Sequence, residues 1–495
     1  MPSVYLEIIV VLLGIFLLLF EAFVPGKEKS FLAWIGVAGL GIVLLLSFFV
    51  NVQADPGAGV TGYLQFYKAD NLAIFFKQFA LVTAIVVLIM SVEYKDVVSR
   101  FIYGAVPGAG LGEFFCLPIF TCAGLMWMAS AVDFVLIFVS LELVTISFYI
   151  LVSYTRRNIF SLEAGVKYLI LGALSTGFLV YGITWIYGIT GQTNLNRIAL
   201  AMANAQGSET PLLFGISLVL IALGFKVAAA PFQFWVPDVY QGAPTPVTAY
   251  LSVGSKAAGF VVLLRVIPVF MTIPLVREKV AAALVVLAAL TLIYGNLAAM
   301  PQNNFKRLLA YSSIAHAGYL LVAVASIGAP YSGGVEIVFY LTGYLLMTLL
   351  SFLVMIIVAN NSGGDDIPHF NGLGKRSPQL ALALLIAMLS LAGIPFTVGF
   401  FGKFLVFSAA IQQGHYSLAG IGIVTVAAGF YYYLKVVRAM YWNEPAEGAR
   451  TITLAPGMKV VIGLLAVLII VLGIYPQPIL SQFQPGKAVT TIVMP

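Results

Sequence analysis

The sequence predicts an all-α, polytopic membrane protein, and three observations lead to that prediction. Of its 495 residues, 61% are hydrophobic and only 9% are charged, whereas a soluble domain carries about 25% charged residues. The mean hydropathy is +1.04. The apolar segments are continuous over about 20 residues, the length that crosses a bilayer as a helix, and they do not alternate with period two as barrel strands do. A soluble enzyme, a disordered chain and a nucleic-acid-binding protein are therefore excluded.

Each predicted span is an apolar run that ends at polar, glycine or proline residues. The first run follows Met-Pro-Ser-Val-Tyr-Leu-Glu, which lacks the positive charges of a signal peptide, so we interpret it as a span and not as a cleaved leader. About 14 spans are expected. They are 4–24, 31–50, 72–91, 114–131, 134–153, 163–188, 212–230, 246–268, 273–297, 304–327, 333–358, 379–410, 417–440 and 456–475.

The basic residues predict the orientation of the chain. If the N-terminus lies outside, the cytoplasmic loops and helix ends hold Lys27, Lys29, Lys95, Arg100, Arg156, Arg157, Lys167, Lys306, Arg307, Lys375, Arg376, Lys435, Arg438, Arg450 and Lys459. The opposite face holds Lys68, Lys77, Arg197, Arg265, Arg277, Lys279 and Lys487. Because cytoplasmic loops carry the excess of Lys and Arg, this asymmetry predicts that both termini face outward.

Two spans are interrupted by a Pro-Phe pair near an intramembrane lysine. The seventh contains Pro231 shortly after Lys226, and the twelfth contains Pro395 shortly before Lys403. Proline removes a backbone donor and breaks a helix, and broken helices in two halves of a chain are typical of transporters built from repeats. Two ordinary proline kinks are the alternative, but the neighbouring charges favour broken helices at a functional site.

A few charges lie within the predicted spans. Glu142 is near the middle of the fifth, Lys226 precedes the break in the seventh, Lys256 lies among small residues in the eighth, and Lys403 follows the break in the twelfth. A charge at the bilayer centre costs at least about 2.5 kcal/mol, so it persists where it is paired, solvated or needed. These residues form a sparse polar track through an apolar protein.

Lysines suit a proton path because desolvation favours the neutral amine, whereas a nearby carboxylate favours the ammonium. Opening or closing a Glu142–Lys226 pair would then move a proton without a metal or cofactor. The alternative is a set of static ion pairs, but three lysines and one evident carboxylate cannot neutralise one another, so we favour the proton path.

Several other polar residues have two interpretations. His316 is about ten residues inside its span and is either a proton relay or an ordinary hydrogen-bonded histidine. Lys167 is either a topology charge or a partner for Glu142. Asp133 is expected to cap the fifth helix. The two cysteines, Cys116 and Cys122, lack metal-ligand spacing and are expected to be small core residues.

With these residues in place, the chain resembles the antiporter-like subunits of respiratory complex I, the proton-pumping NADH-quinone oxidoreductase, and most closely those of the N type. The resemblance spans almost the whole chain. It is strongest in GFKVAAAPFQFWVPDVYQGAPTPVTAYLSVGSKAAGF (224–260), SLELVTISFYIL (140–151), FKRLLAYSSIAHAGYLL (305–321) and LSLAGIPFTVGFFGKF (389–404).

The resemblance implies a role for each of these charged residues. Glu142 matches the family's fifth-helix glutamate, and Lys226 matches the lysine that pairs with it. Lys256 matches the central lysine of the eighth helix, His316 a central polar site, and Lys403 the exit lysine of the twelfth.

One residue departs from the family pattern. After Pro231-Phe232 the family usually has histidine, and here Gln233 takes its place. Because an amide does not titrate, this change puts in doubt any relay step assigned to that position.

The resemblance also implies an organisation into two inverted five-helix repeats. It predicts helices 1–3 in residues 1–112, a first half-channel of helices 4–8 in 113–268, a second of helices 9–13 in 269–440, and helix 14 with a tail in 441–495.

The implied function is proton translocation driven by quinone reduction elsewhere in the complex, in a bacterial inner membrane. No cofactor or metal is expected in this chain, whereas NADH, FMN, iron–sulfur clusters and quinone are expected in partner subunits, which include sister antiporter-like subunits. The alternatives are a subunit of a cation–proton antiporter, a subunit of a membrane hydrogenase, or a structural spacer.

Overall fold

The computed structural model describes residues 2–23, 29–50, 63–102, 110–203, 209–327, 334–445 and 449–483. Within these residues the chain is folded almost entirely into helices, and the backbone forms isolated bridges but no strands. The helices are α1 Val4–Phe23, α2 Ser30–Ser47, α3 Asn71–Glu93, α4 Lys95–Phe101, α5 Leu111–Ser130, α6 Phe134–Val152, α7 Ile159–Thr190, α8 Leu195–Ala203, α9 Glu209–Val227, α10 Trp235–Gly242, α11 Thr245–Tyr250, α12 Lys256–Met271, α13 Pro274–Ala299, α14 Phe305–Ala325, α15 Val335–Ser362, α16 Leu373–Arg376, α17 Pro378–Ala392, α18 Val398–Gln412, α19 Tyr416–Tyr441, α20 Pro456–Ile474 and α21 Gln477–Leu480.

The predicted membrane spans are confirmed as helices. In the described part of the chain, 13 helical segments are long and apolar enough to cross a bilayer, one of which, Thr245–Met271, runs from α11 to α12. The remaining predicted span, 379–410, consists of the two shorter apolar helices α17 and α18. Local chemistry fixes some of the starts: Asp133 caps α6 as expected, since its carboxylate accepts a hydrogen bond from the Val135 N–H at 2.8 Å.

Both predicted helix breaks are present. Helix α9 ends at Val227, Ala228 has a left-handed φ of 65°, and the chain becomes helical again at Trp235. Helix α17 ends at Ala392, and Phe396 has a φ of 66° before α18 begins. A non-glycine residue in this conformation costs about 1–3 kcal/mol, so the surrounding packing must hold each break in place.

The eighth span contains a feature that the sequence analysis did not predict. Between α11 and α12, residues Leu251–Ser255 form a turn of π-helix, and Lys256 follows it directly. A π turn inserts one residue into the helical hydrogen-bond ladder and is frequent at functional sites. It therefore rotates the face that α12 presents, beginning at Lys256.

The chain forms two compact units. The first contains the described residues of 1–227, Gly242–Ala283 and Phe483. In it, α5 packs against α1, α3 and α6, while α9 packs against α7 and α12. The second contains Ala228–Gln241 and the described residues of 284–482. Its interior consists of α14 and α15, which are almost completely buried, and α15 packs against α17, α18 and α20.

The structure corrects the placement of some basic residues. Lys77, assigned to a membrane face from sequence, lies inside α3 with a side chain that is completely buried. Lys306 is also buried, and the side chain of Arg265 is 8% exposed. Because these three side chains lie mostly inside the protein, their positions are weak evidence for which side of the membrane each helix end faces. Lys27 and Lys487 lie outside the described residues.

An ion pair anchors the start of α3 within the first unit. The two terminal nitrogens of Arg265, on α12, contact the two carboxylate oxygens of Asp70 at 2.6 and 2.7 Å, and one of them also donates to the carbonyl oxygen of Ala129. Burial alone would raise the pKa of Asp70, but the Arg265 guanidinium, assisted by Lys68, lowers that pKa to about 2. The forked geometry therefore ties α3 to α12 and to the end of α5.

This ion pair predicts an acid-dependent loss of stability. Because the pKa of Asp70 is lower in the folded protein than the value of about 3.9 for a free side chain, its contribution is complete above about pH 4. It is lost as the pH falls toward 2, and amounts to about 2 kcal/mol. Thermal unfolding of the purified protein in detergent between pH 5 and 2 measures it. Asp70→Asn should lower stability at pH 5 and flatten the acid dependence, and an unchanged dependence in this variant would contradict the assignment.

Candidate functional site

Glu142 lies on α6 at a position that is half-buried in this chain. Its carboxylate oxygen Oε1 accepts a hydrogen bond of 2.8 Å from the hydroxyl group of Thr176, on α7. A hydroxyl donor stabilises the charged carboxylate without neutralising it. This hydrogen bond therefore holds the Glu142 side chain against α7.

Lys226 lies in the last turn of α9, immediately before the first helix break. Its Nζ donates a hydrogen bond of 2.7 Å to the hydroxyl of Thr145, and both side chains are buried. Among the described residues Lys226 forms no ion pair within 4.0 Å, with Glu142 or with any other carboxylate. The pair expected from sequence is thus open in this structure.

The alternative partners of Lys226 are one helical turn apart. Glu142 and Thr145 are separated by three residues, so they lie on the same face of α6. The Thr145 hydroxyl accepts from Lys226 and donates to the carbonyl oxygen of Leu141 at 2.7 Å. The hydroxyl that Lys226 contacts and the Glu142 side chain are therefore neighbours on one face of α6.

Lys256 is buried at the start of α12, on a helix that packs closely against α9. The contact is made at Gly259, one turn beyond Lys256: an ideal Cβ there would lie 2.6 Å from Val227 Cγ1 and 3.6 Å from Lys226 Cβ. Only glycine permits this approach of the two helices. The structure therefore places the helices that carry Lys226 and Lys256 side by side within the first unit.

His316 lies in the interior of the second unit, on α14, and is 1% exposed. Its Nδ1 lies 2.8 Å from the hydroxyl of Tyr340, and its Nε2 lies 3.1 Å from the hydroxyl of Tyr433. The Tyr433 hydroxyl is also 2.5 Å from that of Ser312. Both ring nitrogens thus contact hydroxyl groups that donate or accept, an arrangement that suits a relay as well as a structural histidine.

Lys403 lies on α18 just beyond the second helix break. Its Nζ donates to the carbonyl oxygens of Leu391 and Ala392, each at 2.8 Å, and lies 5.1 Å from the centre of the Tyr319 ring. Those carbonyls are at the end of α17, where the break leaves them without helical partners. Backbone dipoles and an aromatic face thus solvate this buried amine.

The short helix after the first break is anchored within the second unit. Asp238 of α10 forms an ion pair of 2.9 Å with Arg307 of α14, and the hydroxyl groups of Tyr240 and Ser313 lie 3.2 Å apart. Asp238 therefore ties α10 to a neighbouring helix. Gln233, in the break itself, is buried, and its amide oxygen has no hydrogen-bond partner among the described residues.

The residues proposed from sequence thus form two groups, each inside one unit. Glu142, Lys226 and Lys256 belong to the first unit. His316 and Lys403 belong to the second, where Tyr319 connects them, since its ring is 6.0 Å from the His316 ring and lies under the Lys403 amine. Lys167 forms an ion pair with Glu163 at 2.7 Å, one turn away on its own helix.

Sequence analysis missed the hydroxyl groups that hold these charges. Lys226 contacts Thr145, and Glu142 contacts Thr176. His316 contacts the hydroxyl groups of Tyr340 and Tyr433. A helical-face analysis would have found Thr145, three residues from Glu142, and Tyr319, three residues from His316. The others come from distant helices, so no local spacing identifies them.

The chain has fewer cysteines than the usual iron–sulfur clusters need. The usual iron–sulfur clusters are held by four cysteine thiolates, and this sequence has two cysteines, both buried and unpaired in the structure. Across the described ranges, His, Cys, Asp and Glu side chains form no group of three or more that could hold a metal ion.

Comparisons with known proteins identify the family. Residues 131–429 match the family model described as NADH:quinone oxidoreductase/Mrp antiporter, TM. NADH-quinone oxidoreductase subunit N of Trichlorobacter lovleyi is 43% identical over 89% of this chain and 87% of its own length. The subunit N of Moorella thermoacetica is 38% identical over 98% of this chain and 97% of its own length.

Solved structures have the same fold. A chain of respiratory complex I from Thermus thermophilus superposes with a TM-score of 0.77 at 32% identity, covering 96% of this chain and 98% of that one. A chain of an archaeal membrane-bound sulfane sulfur reductase gives 0.83 at 25% identity, covering 96% and 95%. A chain of the Mrp complex of Dietzia superposes with a TM-score of 0.79 at 20% identity, covering 96% of this chain and 95% of that one. At this identity the likeness concerns the fold alone. The chain belongs to the NADH:quinone oxidoreductase/Mrp antiporter membrane-subunit family and, within it, to the subunit N group.

Proposed function

We propose that this chain is the proton-translocating membrane subunit of an NADH-quinone oxidoreductase, and that Glu142, Lys226, Lys256, His316 and Lys403 carry the protons. The observation that best supports this track is the arrangement at Lys226. Its amine is bound to the Thr145 hydroxyl, one helical turn from the Glu142 carboxylate. A buried amine with two alternative partners of different charge is a switch for proton affinity.

The first part of the mechanism takes place in the first unit. While Lys226 contacts Glu142, the carboxylate favours the charged ammonium. When Lys226 turns to Thr145, the hydroxyl cannot neutralise it, and the low-dielectric surroundings favour release of its proton. Lys256, on the helix that packs on α9 at Gly259, is the next acceptor. No electron transfer is needed in this chain for these steps.

The second part takes place in the second unit. His316, between two tyrosine hydroxyls, accepts a proton on one ring nitrogen and donates from the other. Lys403 receives it at the second break, where the carbonyl oxygens of α17 stabilise the ammonium. The breaks at Pro231 and Pro395 thus supply the polar backbone that a charge requires inside a bilayer.

The proposal also includes the membrane location of the chain, its orientation and its partner subunits. We infer a multi-pass location in the bacterial inner membrane with both termini on the periplasmic side, from the charge asymmetry. Residues 113–268 and 269–440 form the two half-channels, flanked by 1–112 and 441–495. NADH, FMN, iron–sulfur clusters and quinone belong to partner subunits, among which are sister antiporter-like chains.

Neutralising either member of the Glu142–Lys226 switch is expected to abolish its function. Lys226→Ala or Glu142→Ala should leave the complex assembled but sharply lower the number of protons pumped for each NADH oxidised, since the amine loses one of its two partners or is itself lost. Acidification of inverted membrane vesicles measures this number. Lys375→Ala, which removes an exposed ion pair with Glu444, is the control, and normal pumping by both switch variants would refute the proposed track.

Thr145 is expected to hold the switch open. Thr145→Val removes the oxygen that accepts from Lys226 and leaves Glu142 as its partner, so proton release and pumping should slow. Thr145→Ser keeps the hydroxyl and should restore both. Thr176→Val, which removes the α7 donor to Glu142, separates this effect from a general loss of polarity around Glu142. Equal pumping by the valine and serine variants at every pH would show that Thr145 has no such role.

The substitution Lys403→Arg tests whether Lys403 must release its proton. Lys403→Arg keeps a positive charge and donors for the carbonyls of Leu391 and Ala392, but a guanidinium does not lose its proton in a protein. Pumping should therefore fall while assembly is retained. If Lys403 is only a structural charge, the arginine variant should pump normally and Lys403→Met should disrupt assembly instead, as judged by the yield of intact complex.

A further inference from the structure

A second buried ion pair lies far along the sequence from the residues of the proposed track. Lys77, on α3, places its Nζ 2.9 Å from Oε1 of Glu7, on α1, and both side chains have no exposed surface. The Tyr67 hydroxyl accepts from Lys77 at 2.5 Å and donates to Glu7 Oε1 at 3.0 Å. It also lies 2.7 Å from the hydroxyl oxygen of Ser3. Four polar groups thus form one connected cluster within the first unit.

One atom of this cluster is left unsatisfied. Glu7 Oε2 is buried and has no hydrogen-bond partner among the described residues. A buried acceptor without a partner costs about 1–3 kcal/mol, and more when it is charged. The other carboxylate oxygen, by contrast, has both Lys77 and Tyr67. The carboxylate is therefore asymmetric, with one oxygen committed to the ion pair and one oxygen open to a proton.

The cluster lies close to one end of its helices. Glu7 is three residues from the start of α1 and Lys77 six residues from the start of α3, which is about 5 and 9 Å along the helix axes. Tyr67 precedes α3, is only partly buried, and reaches the cluster from the membrane face where α3 begins. A polar connection thus runs from that face to the buried carboxylate.

We propose that Glu7 is a reversible proton-binding site, separate from the track that runs from Glu142 to Lys403 and independent of it. A hydronium ion at the membrane face gives up a proton and becomes a water molecule. The proton forms an O–H bond with Glu7 Oε2. The reverse step returns it to water. Lys77 keeps its own proton throughout and retains the Tyr67 hydroxyl as acceptor when the carboxylate becomes neutral.

The groups that face Glu7 are few. Lys77 contributes from α3 and Tyr67 from the segment before it. Helix α5, which packs against α1, contributes the buried thiol of Cys122. Helix α2, the remaining helix packed against α1, has no titratable residue in Ser30–Ser47. An intramembrane carboxylate with a single cationic partner is by default a functional site.

Infrared difference spectroscopy tests the proposal directly. In the purified complex, lowering the pH should produce the carbonyl band of a protonated carboxylic acid that is absent from Glu7→Gln. Lys77→Gln should shift the appearance of this band to higher pH, because it removes the charge that favours the carboxylate. Glu21→Gln, which alters the less buried Glu21–Lys29 pair, is the matched control and should leave the Glu7 band unchanged.

If Glu7 and Lys77 form only a static ion pair, the opposite results are expected. In that case no Glu7-dependent band appears at any pH at which the complex stays assembled, and the proposal is overturned. The yield of assembled complex is a second measurement. If the pair only holds α1 against α3, each single variant lowers this yield, because it leaves one buried charge uncompensated. The double variant Glu7→Gln with Lys77→Gln then restores the yield, since both charges are removed. A Glu7 band that survives in an assembled Lys77→Gln complex supports the proton site.

Discussion

The cost of a charge without a polar partner in hydrocarbon is the constraint on which this structure depends. With only 9% charged residues, the protein could have placed all of them in loops, yet it keeps several inside its helices. The partners of three of them are a hydroxyl for Lys226, two carbonyls and an aromatic face for Lys403, and a carboxylate for Lys77. The helix breaks, the π turn and the close helix contacts are the local structures that provide these partners.

The sequence predicted the larger part of the fold because membrane helices leave a strong local signal. Runs of about 20 apolar residues give spans directly, and Pro231 and Pro395 locate the breaks because proline lacks the donor a helix needs. The π turn at Leu251–Ser255 has no such signal. It contains one glycine and no proline, and its hydrogen bonds depend on how α11 and α12 pack against α3, α5 and α9.

The charged residues of the candidate site were also predictable, whereas their partners were not. Glu142, Lys226, Lys256 and Lys403 are conspicuous because a charge in an apolar run is rare. Thr145 and Tyr433 are ordinary residues in such runs, and their roles follow from hydrogen bonds between helices far apart in sequence. Lys77 shows the reverse error: a lysine six residues inside a helix looked interfacial, because Glu7, its partner, lies 70 positions earlier in the chain.

The two lysines at the helix breaks differ in a way that suits different steps of one mechanism. Lys226 contacts a side-chain hydroxyl on α6, and the Glu142 carboxylate is one turn away on the same helix face. Lys403 contacts two backbone carbonyls, and among the described residues it forms no ion pair within 4.0 Å. Backbone dipoles are fixed by the fold, so they hold an amine without offering it an alternative partner. In the proposed mechanism, a proton affinity that changes belongs at Lys226, and one that stays constant belongs at Lys403. The first unit then performs the switching, and the second supplies a fixed site for the proton.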